Sequence, residues 1–409
     1  MSKTGKLIPK RRFGGFINDN EWKKNFLHEI SEVYDGTHQT PNYTKAGIMF
    51  LSVENIKTLH SEKFISKEAY EKDFKIKPER NDILMTRIGD IGTANIIKYD
   101  IPIAYYVSLA LIKAKLNAYF LKANITSPYI QAELWKRTLH IAFPKKINKS
   151  EIENVLVKYP DKKEQIQIGE FFKKLDILIQ TQQKKLEKTK ILKSAYLAEM
   201  FPADGESKPK IRFKDFINYW DSISLNKIGS TYAGLSGKSK DDFGHGNAEY
   251  ITYVNIFNNP ITDLDGTETI EIDDKQNQVK YGDVLFTISS ETPHEVGLSS
   301  VWLGDRENVY LNSFCFGFRP YLNVDNYYFA FMLRSPVIRK KFKILAQGIS
   351  RYNVSKNRVM KLVVPITHIN EQTKIGNFFK LLDKKVALEQ RKLEKLNNIK
   401  QAYLNEMFV

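Results

Sequence analysis

Cysteine is almost missing: Cys315 is the only one in 409 residues. No intrachain disulfide can form, and no thiolate-rich zinc cluster can be built. Long apolar runs are missing too, so nothing reaches the length needed to span a bilayer. The basic stretch from Met1 to Arg12 leads into no apolar segment of the kind a secretory signal requires. These absences predict a reducing, cytoplasmic setting and no membrane partner. The seven histidines are scattered, with no His-Glu-x-x-His pair, so no metal site is expected.

Signatures of catalysis are equally sparse. Asn258-Asn259-Pro260-Ile261 superficially resembles an amino-methyltransferase tetrapeptide but lacks the aromatic after two prolines. Gly237-Lys238-Ser239 ends like a phosphate-binding loop, yet Tyr232 stands where the leading glycine belongs. Pro160-Asp161 could open a nuclease motif, but its counterpart Pro365-Ile366 has no acid. No glycine-rich strand-to-helix turn offers itself to a methyl donor. The expectation is a chain without catalytic residues and without a cofactor of its own.

What the chain has in excess is positive charge and internal repetition. Its net charge is +16 and its pI about 9.4, which suits a polyanionic partner whose counterions are released on binding. With 42% hydrophobic residues it is globular, and its length allows two or more domains. The stretch Glu164 to Phe201 returns from Glu371 to Phe408 without a gap, at an offset of 371 − 164 = 207 residues. More than half of the paired positions are identical, among them Glu164-Gln165 with Glu371-Gln372, Ile168-Gly169 with Ile375-Gly376, and Met200-Phe201 with Met407-Phe408.

Both stretches lack proline and glycine after their opening turn and are rich in Leu, Lys, Glu and Gln, so they read as long helices of about 55 Å. Four-three spacing puts Phe172, Leu175, Ile179 and Leu186 on one seam and Phe379, Leu382, Val386 and Leu393 on the other. The seams are interrupted at Gln182 and Glu389. Each stripe needs a partner, and the matching stripe is the simplest one, giving an antiparallel coiled coil; a helix that merely covers its own domain is the plainer alternative.

The repeat extends to the lead-in of each half. Pro9-Lys10-Arg11-Arg12-Phe13-Gly14-Gly15-Phe16-Ile17-Asn18 runs to Trp22, and Pro209-Lys210-Ile211-Arg212-Phe213-Lys214-Asp215-Phe216-Ile217-Asn218 runs to Trp220. Between these shared ends the halves diverge over comparable skeletons. Asn81 to Thr86 and Gly282 to Thr287 each read as a turn entering a buried strand. Val155 to Pro160 and Met360 to Pro365 each read as a terminal strand stopped by proline, and helices are expected from Pro128 to Thr138 and from Asn326 to Lys341. The fold class is α+β: two similar domains, residues 1–160 and 204–367, separated by the two long helices, residues 161–203 and 368–409.

A strand, a proline, then Glu-Gln-x-x-Ile-Gly-x-Phe-Phe-x-x-Leu-Asp and a long helix ending in Met-Phe, twice in one chain, resembles the specificity subunit of type I restriction-modification systems. Asp35 to Pro41 and Gly234 to Lys240 are similar to the openings of that family's target recognition domains. Two departures are visible: a longer loop from Pro365 to Glu371 than from Pro160 to Glu164, and no doubled proline in either copy. The resemblance implies that each variable domain reads one half of a bipartite double-stranded DNA target. The long helices would set the spacer and dock two modification subunits, which carry S-adenosylmethionine, and restriction subunits would join that assembly.

Candidate DNA contacts follow from loop chemistry. Thr37 and His38 stand in one early loop, and Lys238, Ser239 and Lys240 in the other; a solvated charge run is the alternative for the lysines. Arg87 follows a predicted strand beside Gly89, and an arginine can read guanine through two hydrogen bonds; pairing with Asp90 is its alternative. Arg351 and Asn353 lie in a polar loop before the closing strand, where a surface salt bridge is the competing role for the arginine. Two other functions compete. A one-chain enzyme would need a methyl-donor loop or a metal-binding acid set, and a coiled-coil tether would explain the helices but not the basic excess.

Overall fold

The computed structural model describes residues 7–409, so the first half of the basic Met1 to Arg12 stretch lies outside the described residues. The chain divides into two units, one formed by Met1–Gln183 with Arg391–Val409 and the other by Lys184–Gln390. This division falls inside both long helices, Lys162–Glu199 and Ile369–Glu406, whereas the boundaries expected from the sequence fall in loops at their ends.

In the first unit an antiparallel sheet runs in the order Ser31–Asp35, Leu109–Ala114, Ile83–Thr86, Ala94–Ile96. A second sheet runs Phe64–Ile65, Ile48–Leu51, Ile103–Tyr105, its last pair parallel. The period-two rule of strands divides the central side chains between two cores: Ile83 and Met85 enter one, Leu84 the other. The second unit repeats the arrangement, with Gly229–Ala233, Cys315–Pro320, Val284–Thr287, Ser299–Val301 in one sheet and Thr267–Ile270, Phe243–Ile251, Val309–Leu311 in the other. Val284 and Phe286 again face one core and Leu285 the other.

The expected turns into the central strands are present in both units. Asn81 (φ 73°) and Gly282 (φ 84°) occupy the left-handed region, which Gly and Asn tolerate best. The aspartate that follows is buried in each case: Asp82 accepts from the Glu79 amide and the Lys113 ammonium, both at 2.8 Å. Asp283 accepts from the Lys280 amide at 2.8 Å, from Arg319, and from the Tyr232 hydroxyl at 2.7 Å.

Two expectations need correction. Pro365 does not stop its strand but lies inside Val363–Ile366, opposite Ser222 in a two-stranded ribbon where an edge position tolerates a missing N–H. Ile366 therefore takes the place of Tyr159, which pairs with Lys23, and the apparent insertion before Glu371 vanishes. The helix expected from Asn326 to Lys341 breaks into Asn326–Leu333 and Pro336–Leu345. In the first unit Ala118–Thr126 is an additional helix ahead of Pro128–Lys136.

The repeated residues prove to be the parts that lock each long helix to its domain. Arg12 forks onto Glu164 with contacts of 2.8 and 2.7 Å, and Arg212 onto Glu371 with 2.7 and 2.8 Å. Both glutamates are buried, so the lead-in arginine supplies the charge partner that burial requires. Next to each, Gln165 accepts from the Asn117 amide (3.1 Å) and donates to the Pro160 carbonyl (2.8 Å), while Gln372 does the same with Asp325 (3.0 Å) and Thr367 (2.7 Å). One turn on, a Cβ on Gly169 would lie 2.4 Å from Asn117 Oδ1, and a Cβ on Gly376 would lie 2.4 Å from Asp325 Oδ1 and 2.8 Å from the Tyr328 amide. Only glycine lets the long helix approach so near the start of the neighbouring helix.

Inside each unit the long helices run antiparallel, through equivalent contacts with the helix roles exchanged. Phe171 meets Tyr403 edge-on at 4.8 Å in the first unit, and Phe378 meets Tyr196 at 5.0 Å in the second. Asp176 pairs with Lys400 at 2.7 Å, and Asp383 with Lys193. Burial opposes the charge on Asp176, but Lys122 and Lys400 hold its carboxyl below the ordinary range. Met407 and Phe408 pack with Trp22 and Phe120, while Met200 and Phe201 join the core containing Trp220 and Tyr328. Of the eight seam residues, Phe172, Leu175, Leu186, Phe379 and Leu382 are buried and Ile179, Val386 and Leu393 half-buried. The polar interruption at Glu389 is buried and accepts from Lys185 at 3.0 Å.

Replacing Arg212 by alanine strands a buried carboxylate, and unfolding in denaturant should show a loss of about 3–5 kcal/mol. Arg212→Lys, which keeps the charge but not the fork, should lose less; equal stability of all three proteins would refute the lock.

Candidate nucleic-acid interface

The candidate contact residues lie in several segments of the two units, 35–38 and 87–92 in the first and 234–240 and 347–353 in the second. In the first unit Arg87 is buried rather than exposed to a partner. Its guanidinium meets the Asp35 carboxylate, and its Nε donates to the Ile147 carbonyl at 3.2 Å. Asp90, the alternative partner expected from the sequence, lies instead 3.4 Å from the Thr86 hydroxyl. Arg87 therefore ties the 35–38 loop to the loop that follows its own strand, because a cation in that strand's buried row needs a carboxylate brought from elsewhere.

Thr37 is fixed through its backbone, donating to Tyr105 (3.2 Å) and accepting from Val107 (3.0 Å). His38 is exposed, 3.9 Å from Asp35. Gly89 (φ 83°) is exposed and donates its amide to the Lys145 carbonyl at 2.8 Å. That bond joins it to a loop the sequence reading missed, residues 139–146. Bridges of Lys146 to Leu139 and Ile88 close this loop, His140 meets the Trp135 ring at 4.5 Å, and Lys145 lies over the same ring at 4.6 Å. The signal available in the sequence was Lys145-Lys146 beside Ile141 and Phe143, with no strand or helix pattern to bury them.

In the second unit Lys238 is paired with Asp273 at 2.7 Å. Hydrogen bonds from Lys238, Gln276 and the Lys275 amide bring the Asp273 carboxyl down to about 2, so the pair persists as pH falls until it passes through that value. Ser239 is occupied by Asp242, to which its amide donates at 2.6 Å and its hydroxyl at 2.8 Å, while Lys240 is exposed.

Arg351 and Asn353 fall together. Tyr352–Asn353 pairs with Ser289–Ser290, and Asn353 exchanges backbone bonds of 2.8 and 3.0 Å with Gln347. Arg351 is exposed, its guanidinium 5.7 Å from the Phe314 ring centre. It borders a cleft of about 530 Å³ with Tyr253, Phe314, Glu291 and Glu295. Glu295 is oriented by the hydroxyls of Ser290 (3.2 Å) and Thr292 (2.8 Å). A cleft with an aromatic wall, an arginine and two carboxylates presents both donors and acceptors, the groups that base edges require.

Among the described residues no cluster of His, Cys, Asp or Glu could hold a metal ion, and no helix is long and apolar enough to cross a membrane. Cys315 is buried in strand packing, which pushes its thiol well above the ordinary range and away from nucleophilic use.

Against this geometry, the family model for the type I restriction modification DNA specificity domain matches twice, over residues 19–190 and 218–398. A crystal structure of the S subunit of a type I restriction-modification system from M. genitalium is similar over 98% of this chain and 99% of its own, at 15% identity and a TM-score of 0.61. A chain from a structural study of complex assembly and conformational transition of the type I R-M system is similar over 94% of this chain and 96% of its own, at 13% identity and a TM-score of 0.55. At such identities these two likenesses establish the fold. A search of curated proteins returned no match.

The two arginines differ in what their removal does to the fold. Arg87→Ala should lower stability by about 2 kcal/mol, since it unpairs Asp35 and frees two loops. Arg351→Ala should stay within about 0.5 kcal/mol of the parent. Thermal or denaturant unfolding of the two variants checks the contrast, and equal effects would contradict it.

Proposed function

The chain belongs to the type I restriction-modification DNA specificity family, and on that premise we propose that each unit reads one half of a bipartite duplex target while the long helices set the spacer and carry two modification subunits. Its role is that of the specificity subunit. The observation that carries the finer reading is the division between what repeats and what does not. The lock of Arg12, Glu164, Gln165 and Gly169 recurs as Arg212, Glu371, Gln372 and Gly376. The loops at 35–38, 87–92 and 139–146 share no such identity with those at 234–240, 288–295 and 347–353. A lock repeated in both units sets the two long helices on their domains in the same way, which suits docking of identical protein subunits, and unlike loops suit unlike base sequences.

On this reading the chain contributes no catalytic residue. S-adenosylmethionine resides on the modification subunits, and restriction subunits join through the same assembly. The excess of 63 Lys and Arg over 47 Asp and Glu supplies the phosphate contacts that position a duplex without reading it. Arg351, with Asn353 beside it, is the best-placed base reader in the second unit. Gly89, Thr37 and His38 shape the corresponding surface in the first, and Arg87 acts there as a positioning residue through Asp35. Lys240 contacts phosphate, and Lys238 and Ser239 hold its loop.

Helix length enters through simple arithmetic. A helix of 38 residues is about 57 Å long at 1.5 Å per residue, against about 3.4 Å per base pair. Removing seven residues from each long helix should therefore change the preferred spacer while each half-site stays the same, as read from the methylated motif in a host carrying the shortened chain. An unchanged spacer would refute the ruler. Arg351→Ala should weaken selection of one half-site only, by about 1–3 kcal/mol if it reads a base.

A further inference from the structure

Three large apolar side chains stand almost entirely in solvent: Ile141 at 99%, Phe143 at 104% and Ile349 at 95% exposure. The other exposed large hydrophobics among the described residues reach at most the 77% of Ile217. All three outliers fall at the same place in the two units. Ile141 and Phe143 tip the loop that follows helix Pro128–Lys136, and Ile349 tips the loop that follows helix Pro336–Leu345. Each loop is closed by the same kind of bridge, Leu139 to Lys146 and Gln347 to Asn353. Each is also tied to the end of the central strand, through Ile88 with Lys146 in one unit and Ser289 with Asn353 in the other. The sequences of the two tips are unrelated, so this repetition is one of position and chemistry.

Neither tip contributes to a core. An apolar group held out on a braced loop gains nothing from folding, and it keeps its value for a partner that offers apolar surface. The charges around it specify which partner. Lys145 and Lys146 flank the first tip, and Arg351 follows the second by two residues. Apolar tips on cationic shoulders complement a duplex, whose phosphates face outward and whose stacked bases supply the apolar interior.

We infer that the Ile141–Phe143 tip and the Ile349 tip are wedges, each entering the duplex at one base step of its half-site and partly unstacking it, with Lys145 and Lys146 against the phosphates beside the first and Arg351 at a base edge beside the second. This rests on the reading of the two units as DNA readers and goes beyond it by assigning a deformation to each. Local unstacking lowers the work of extruding a nearby base, which a modification subunit must do before transferring a methyl group.

The test uses the full chain assembled with its modification subunits and a duplex carrying the methylated bipartite sequence, with 2-aminopurine placed in turn at steps away from the methylated bases. The wild-type complex should brighten at one step in each half-site. Ile141→Ser with Phe143→Ser should return the first signal to the level of free duplex and leave the second, and Ile349→Ser should do the reverse. These residues are solvent-exposed, so the variants should fold and assemble as the parent does. Unchanged brightening in the variants, or none in a wild-type complex that methylates its target, overturns the wedges. Failure of the variants to hold modification subunits overturns them too, by making the tips protein contacts. A wild-type complex that selects no sequence at all removes the reading on which the wedges rest, a result distinct from all of these.

Discussion

Everything in this chain hangs from a buried charge that must be answered. Glu164 and Glu371 lie in the first turn of the long helices with almost no access to water, and an isolated carboxylate there would be very costly. Arg12 and Arg212 answer them with two-pronged contacts, and that requirement fixes the path of the lead-in segment across the start of each helix. Once the fork is closed, Gln165 and Gln372 fasten the start of the neighbouring domain helix to the same turn, and Gly169 and Gly376 allow the backbones to touch.

The far ends of the helices complete the units in an exchanged manner. The core around Trp22 includes Met407 and Phe408, and the core around Trp220 includes Met200 and Phe201. Each unit thus depends on a segment from the other half of the sequence, which explains why the division into compact units cuts both helices. It also explains why the repeat ends on Met-Phe: those two residues are core residues, for a domain other than the one preceding them in sequence. With anchor and plug both specified by repeated residues, the loops at the sheet ends are free to differ, as the recognition role proposed for them requires.

The sequence made the skeleton legible because skeleton residues repeat. The constant offset announced the helices, and the turns at Asn81 and Gly282 announced the central strands. The role of Arg12 and Arg212 was not legible, since a buried fork between residues more than 150 positions apart leaves no periodic trace. Pro365 misled because proline ordinarily ends a strand, whereas here it occupies an edge of a two-stranded ribbon. In the candidate interface, Arg351 and Asn353 stand out in the sequence because their polar loop carries an arginine and an aromatic just before the closing strand. Arg87 reads in the sequence as a loop residue after a strand, but its burial and its pairing with Asp35 depend on a tertiary contact that local sequence does not encode. The 139–146 loop escaped notice because apolar residues are ordinarily assigned to cores, and nothing in Ile141-Ala142-Phe143 says that its side chains face solvent.

The central claim is that this chain selects a split DNA target through two independent readers and borrows its chemistry from partners. Sequencing of methylated bases in a host carrying the chain, and again after its removal, tests it most directly. The account predicts that one bipartite motif, two short specified blocks around an unspecified spacer, disappears when the chain is removed and returns when it is restored. A methylation pattern indifferent to the chain in a host whose modification subunits are active, or the loss of a single continuous motif, would contradict it.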